Sequence, residues 1–152
     1  MKKTFESLAE LKSLVGEEVA VSDWERVTQE RIDRFAEATG DFQWIHCDPE
    51  RAALGPFGTT IAHGYLTLSM LPMFMERSIE LKNVRMGVNY GLNRVRFTAP
   101  VPVDSELRAR IRLLAVEELP DNGAQMVWQY TVERNGSDRP VCVAESISRR
   151  YA

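Results

Sequence analysis

Two segments of the chain gather the side chains that can move protons. In Thr39-Gly40-Asp41-Phe42-Gln43-Trp44-Ile45-His46-Cys47-Asp48-Pro49 a carboxylate and an imidazole stand five positions apart. Asp and His are the pair best suited to take a proton from water and return it elsewhere. A loop can aim both at one water if its turn brings their tips within hydrogen-bond reach. The second segment, Phe57-Gly58-Thr59-Thr60-Ile61-Ala62-His63-Gly64, ends where an apolar stretch begins. At the start of a buried helix the N–H of Gly64 has no intrahelical partner, and the missing side chain lets a carbonyl oxygen approach closely. The helix dipole adds to that donor. Together these residues fit proton transfer beside a carbonyl whose oxygen gains negative charge.

Each residue also has a plainer reading. A lone Asp such as Asp41 between helices is usually a cap or turn residue, and His46 by itself reads as a structural histidine bonded to Asp48. Asp41, His46 and His63 could together ligate a metal, but no helical His spacing supports a zinc site, so none is expected. Orienting the helix start suits His63 better than proton transfer. Cys47 follows His46, and neighbours on an extended loop point apart, which argues against a cysteine nucleophile. Cys47 and Cys142 are the only cysteines and lack metal-ligand spacing, so both are expected as free thiols.

The elements that must position these residues follow from periodicity. Glu18 to Val27 reads as an edge strand with Val19 and Val21 on one face. Thr28 caps a helix in which Ile32, Phe35 and Ala36 recur at helical spacing, and Gly40 stops it. Asp48-Pro49 opens one or two further helical turns. Asp41 to Cys47 is then a loop between helices. Ile61 to Met75 is apolar on nearly every side and predicts a buried helix, which Pro72 should kink or shorten. Met70, Met73 and Met75 suit adaptable core or pocket lining.

From Val84 the period becomes two. Met86, Val88, Tyr90 and Leu92 share one parity while Val95 and Phe97 take the other, so a bulge is expected between Gly91 and Arg94. Leu107, Ala109, Ile111, Leu113 and Ala115 form one strand, and Met126, Trp128, Tyr130 and Val132 the next. Pro120-Asp121-Asn122-Gly123 and Asn135-Gly136 provide the turns, the latter leading to Val141–Arg149. Helices followed by four antiparallel strands indicate an α+β domain with a helix in the concave face of a curled sheet.

With 152 residues, the length fits a single domain over 1–152. A net charge of -3, from 19 basic and 22 acidic residues, leaves no electrostatic footprint for nucleic acid. The apolar stretch is too short and interrupted for a membrane span. The polar, acidic start lacks a signal-peptide core, so a cytoplasmic location is expected.

The Gly40-Asp41 step, four intervening residues, His46, and the Ala62-His63-Gly64 step closely resemble the MaoC-like, or R-specific, enoyl-CoA hydratase family. Tyr90-Gly91-Leu92-Asn93-Arg94-Val95-Arg96-Phe97 and Ala99-Pro100-Val101 are similar to the strand after the helix in its single-domain members. The resemblance spans at least Thr28 to Ser105. Gln43-Trp44 replaces the commoner Asn-Pro, a difference that bears on substrate preference.

The resemblance implies a hotdog fold, a curled antiparallel sheet around a long central helix, and reversible addition of water to a trans-2-enoyl thioester. It assigns Asp41 and His46 to the catalytic dyad and Gly64 to the enolate oxygen. It implies no cofactor, because CoA is part of the substrate, and either CoA or acyl-carrier protein could carry the acyl group. Asn89 and Tyr90 are candidates for the pocket border beside His63. Arg94 and Arg96 are either CoA-phosphate ligands or solvated strand residues. An exposed sheet edge near Val84 to Phe97 predicts a homodimer or higher homo-oligomer with composite sites. Two rivals share the fold: a thioesterase, which would not need His46, and an acyl-binding protein without chemistry.

Overall fold

The computed structural model describes residues 2–152. Thr28 Oγ1 accepts from Arg31 N at 3.2 Å and starts helix α2 (Gln29–Thr39). Its stripe of Ile32 and Ala36 is fully buried, and Gly40 ends it at φ 87°, a conformation glycine adopts without steric cost. Before it come β1 (Lys3–Phe5), α1 (Leu8–Lys12), β2 (Glu18–Val21) and β3 (Glu25–Arg26). The expected strand over 18–27 is thus two short pieces. A register shift between Glu18 and Ala20 turns both Val19 and Ala20 inward and leaves Val21 exposed, which separates Val19 from Val21.

Trp44–Cys47 is a short helix, α3, where a loop was expected; α4 (Pro49–Ala53) follows, capped by Asp48, whose carboxylate accepts from Arg51 N. The apolar stretch forms two helices, α5 (Gly64–Ser69) and α6 (Leu71–Ser78), instead of one long helix. Pro72 sits in the first turn of α6, where its missing N–H is tolerated; within one continuous helix it would clash with the Leu68 carbonyl. Nor is the stretch covered all round, because Tyr65 is 68% exposed. Strand β4 (Ile79–Leu81) then pairs in parallel with β1.

Strands β5 (Met86–Arg96), β6 (Glu106–Leu119), β7 (Gly123–Arg134) and β8 (Pro140–Tyr151) complete a six-stranded sheet in the order β2-β6-β7-β8-β5, with β3 also on β6. The 120–123 turn has Asp121 and Asn122 at φ 61° and 56°, the twist an antiparallel hairpin needs. Inward residues Leu107, Ala109, Ile111 and Leu113 of β6 meet Met126, Trp128, Tyr130 and Val132 of β7. Leu66, Met70, Leu71 and Phe74 close that core from the helices, each side chain contributing about 1.5–3 kcal/mol by leaving water. A register shift between Leu113 and Ala115 exposes Ala115, expected inside, and brings Val116 against the core. In β5 the expected bulge is present as two shifts, at Asn89/Gly91 and Leu92/Arg94. An antiparallel sheet wrapped on central helices is the hotdog arrangement, and no helix among the described residues is long and apolar enough to cross a membrane.

Candidate active site

The end of α2, helix α3 and the start of α5 converge. Asp41, His46 and His63 each bring a ligand-type atom within 4.8 Å of the others. Asp41 is exposed just beyond α2, and one carboxylate oxygen accepts from Gln43 N at 3.3 Å, a turn-forming bond that leaves the rest of the carboxylate open. His46 is 7% exposed, because its place on α3 turns the ring inward. Its Nδ1–H donates to the Ile61 carbonyl at 2.7 Å, and Asp48 serves α4 instead. A carbonyl only accepts, so the proton sits on Nδ1 and the neutral ring carries a lone pair on Nε2. Burial pushes His46 below the ordinary imidazole value. The Ile61 bond opposes that, His63 adds to it, and the Asp41 charge opposes it. The ring is therefore neutral near pH 7 and can accept a proton.

His63 is 2% exposed and stacks on His46 with centroids 3.9 Å apart. Its Nε2–H donates to the Asp41 carbonyl at 2.9 Å, while its buried Nδ1 has no partner. The residue is the N-cap of α5 but makes no side-chain cap bond, so the ring positions Asp41 and not the helix start. The two imidazole rings are nearly parallel, at 24° to each other.

Gly64 is the first residue of α5, as expected. A Cβ there would lie 2.8 Å from Phe97 Cδ2, so the glycine also makes room for an aromatic ring on the helix start. Phe97 in turn packs edge-on against Tyr65. Burial pushes the Cys47 thiol up, away from thiolate chemistry.

The other candidates lie apart from this cluster. Asn89 and Tyr90 line a groove of about 820 Å³ between the helices and strands β5 and β8, one turn of α5 or more beyond Gly64. Arg149 stacks over the Tyr90 ring at 3.6 Å. Arg94 and Arg96 are exposed on β5, and Arg96 donates to the carbonyl of Val95.

Gln29 was not among the sequence candidates. Its Nε2 donates to the His46 carbonyl at 2.7 Å and to Asp33 at 3.0 Å, and its Oε1 accepts from Thr60 Oγ1 at 2.6 Å. It ties α3 to the strand-like segment that leads into α5. The signal was a glutamine at the i, i+3, i+7 stripe it shares with Ile32 and Ala36, where an apolar residue belongs.

Comparison with known proteins shows the family to which the chain belongs. A family model described as MaoC like domain matches residues 10–135. The chain is 55% identical over 150 residues to "3-hydroxyacyl-thioester dehydratase Z" of Mycobacterium tuberculosis, covering 99% of each chain. It is 45% identical over 147 residues to "Nodulation protein N" of Rhizobium leguminosarum bv. viciae, covering 93% of this chain and 89% of that one. Among solved structures, an R-hydratase of Pseudomonas aeruginosa in unliganded form superposes with a TM-score of 0.72 at 24% identity, over 94% of this chain and 84% of that one.

Proposed function

This chain belongs to the MaoC-like domain family, and from that premise we propose that it is a hydro-lyase of 3-hydroxyacyl thioesters that also runs in reverse as a trans-2-enoyl hydratase. One observation carries the reading. A buried, neutral His46 with its Nδ1 proton committed to Ile61 stands within 4.8 Å of Asp41. No direct hydrogen bond joins the two side chains among the described residues, and one water accepting or donating at about 2.8 Å to each spans such a gap.

In the hydration direction the water oxygen bonds to C3 as its proton leaves to the dyad. The double-bond electrons move onto the thioester as an enolate, and C2 takes a proton as the enolate collapses. His46 polarises the water through Nε2, and Asp41 shares the proton and helps return it. The Gly64 N–H, at the start of α5, faces the enolate oxygen. None of these steps calls for a resident metal or redox group. The R configuration of the 3-hydroxyacyl product is proposed on the resemblance of the Gly40-Asp41, His46 and His63-Gly64 motifs. We assign Arg94 and Arg96, both exposed on β5, to the phosphates of a CoA or acyl-carrier-protein arm on the resemblance of that strand.

We also propose that two copies work together. Strand β5 closes one side of the sheet with an unpaired edge of 11 residues, and Met86, Val88, Tyr90 and Leu92 on it are exposed. A long apolar edge strand is a template for pairing with another strand. Edge-to-edge pairing would cover it and extend the sheet.

The test is a panel of trans-2-enoyl-CoA thioesters, followed by loss of the conjugated-thioester absorbance and by free-thiol release. The expected result is loss of the enoyl signal without thiol release. Asp41→Asn and His46→Gln should each lower kcat by about 10² or more, the usual weight of a general acid–base group. Full activity in both variants overturns the dyad.

A further inference from the structure

Helix α3 carries His46 and has little of its own to hold it. It runs only from Trp44 to Cys47, and isolated helices under about a dozen residues are marginal in water. Its N-cap, Gln43, makes no side-chain cap bond, so the first N–H groups of the helix are left unserved by that side chain. The backbone is nonetheless the one a local cap uses. Gln43 sits at φ -54° and ψ 140°, the extended geometry a residue takes before proline. The Trp44 N–H, at the first helical position, has no acceptor among the described residues, so a proline there would lose no bond. The commoner Asn-Pro would cap and start such a helix locally; Gln43-Trp44 does neither.

Order comes instead from α4 and the turn after it. The Trp44 side chain is half-buried, and the Arg51 guanidinium lies over its ring, 4.4 Å from the centroid. The outer edge of the indole meets Gly55. A Cβ there would lie 2.9 Å from Trp44 Cζ3 and 3.0 Å from Cη2, and the next atom is the Ala52 carbonyl oxygen at 3.4 Å. Gly55 does not have a positive φ, so its backbone is open to any residue. The indole is therefore the reason the position carries no side chain.

Three bonds join α3 to the rest of the site. The Ile45 carbonyl accepts from Ile61 N at 3.0 Å, His46 Nδ1–H donates to the Ile61 carbonyl at 2.7 Å, and the His46 carbonyl accepts from Gln29 Nε2 at 2.7 Å. All three engage Ile45 and His46. Bonds at one end leave a short helix free to pivot, and a contact at its other end sets its direction. Trp44 is that contact.

We propose that Trp44 is a positioning residue: held between Arg51 and Gly55, it takes the place of a local helix cap and sets the aim of His46 Nε2. The proposal rests on the dehydratase reading and deepens it by naming the pair, Trp44 and Gly55, on which the aim of the base depends. It also moves the Gln43-Trp44 departure from substrate preference to alignment of the dyad.

The experiment is a swap. Gly55→Ala drives a methyl group into the indole edge and should lower kcat for trans-2-butenoyl-CoA by about tenfold or more, since misplacing a catalytic group by about 1 Å can cost 10². KM should change by less than about twofold, because the ring does not touch substrate. Trp44→Phe lacks Cζ3 and Cη2, so Gly55→Ala/Trp44→Phe should return to within about threefold of wild-type kcat. Trp44→Ala should behave as Gly55→Ala does, whereas Gln43→Asn/Trp44→Pro, which supplies a local cap on the same backbone, should keep most of kcat. Hydrogen exchange at the Ile61 amide, bound to the Ile45 carbonyl, reports the docking of α3 without turnover; protection should fall in Gly55→Ala and return in the swap. Unchanged kcat in Gly55→Ala, a swap no better than that single variant, or a Gln43→Asn/Trp44→Pro protein as slow as Trp44→Ala overturns the proposal. So does a loss confined to KM, which would make the ring a substrate contact. If wild type hydrates no enoyl thioester, the dehydratase reading fails. Exchange at Ile61 then decides the role of Trp44, and equal protection in wild type and Gly55→Ala overturns it.

Discussion

Replacing Gln29 by leucine removes the link between the two halves of the site while keeping side-chain volume. Three bonds go. Asp33 can turn to water, but the His46 carbonyl loses its 2.7 Å donor and the Thr60 hydroxyl, on a residue 1% exposed, loses its 2.6 Å acceptor. A buried polar group left unpaired costs about 1–3 kcal/mol, so the two together cost about 2–6 kcal/mol. That is a large share of a total stability of about 5–15 kcal/mol. At about 2–4 °C per kcal/mol for a chain of this size, Tm should fall by at least about 4 °C. The lost tether also frees α3 and moves His46, so kcat should drop by about tenfold or more with KM little changed, since misplacement of a catalytic group by about 1 Å can cost 10². Thr60→Val removes the stranded hydroxyl. The double variant should therefore be less destabilised than the two single effects added together, by about 1 kcal/mol in a thermal or denaturant cycle. A Gln29→Leu protein that loses under about 0.5 kcal/mol and keeps wild-type kcat would refute the tether, because that is the range of an ordinary surface substitution.

Because burial lowers the His46 pKa from 6.5, kcat/KM should stay level above that pH and fall only on its acid side; an acid limb centred above 6.5 would exclude His46 as the group observed. The same shift has a stability sign. The unfolded chain binds the extra proton more readily, so this contribution is complete above pH 6.5 and is lost as pH falls toward the folded pKa; denaturant titrations should show the slope in wild type and lose it in His46→Gln. Gly64→Ala should cost about 1–3 kcal/mol by driving a methyl into the Phe97 ring. Adding Phe97→Ala should restore stability but leave kcat about 10² down; recovery of both would reduce Gly64 to a packing role. Val88→Lys, on the exposed face of β5, should turn a sedimenting dimer into a monomer with little change in Tm, and a dimer that persists would place the interface elsewhere.

Much of the local structure was legible along the chain, because periodicity and capping are properties of near neighbours. Thr28 and Gly40 bound α2, Asp48-Pro49 starts α4, and the alternation in Leu107–Leu113 and Met126–Val132 names the core face of the sheet. The residues that meet at the site, Asp41, His46 and His63, could be named from the sequence as proton-transfer or ligand types, but only the resemblance to the family's motifs favoured a catalytic role for Asp41 and His46 over a structural one. Their arrangement was not legible. A four-residue helix such as α3 has no periodicity to read, so nothing in the sequence placed the His46 ring inside the protein. The bulge at Leu113/Ala115 and the division of the apolar stretch into α5 and α6 depend on strand register and on which turn Pro72 can occupy.

The strand order β6-β7-β8-β5 makes Gly87 the neighbour of Arg150. Only tertiary structure decides that His46 Nδ1 is bound by a carbonyl 15 residues away, that Gln29 reaches Thr60 across 31 residues, and that Ser148 and Arg150 face a groove instead of solvent. Each depends on backbone groups and side chains brought together by burial of surfaces remote in sequence. Residue type and spacing determine what chemistry a side chain can do; the packing of distant segments decides which atom of it is left free to act.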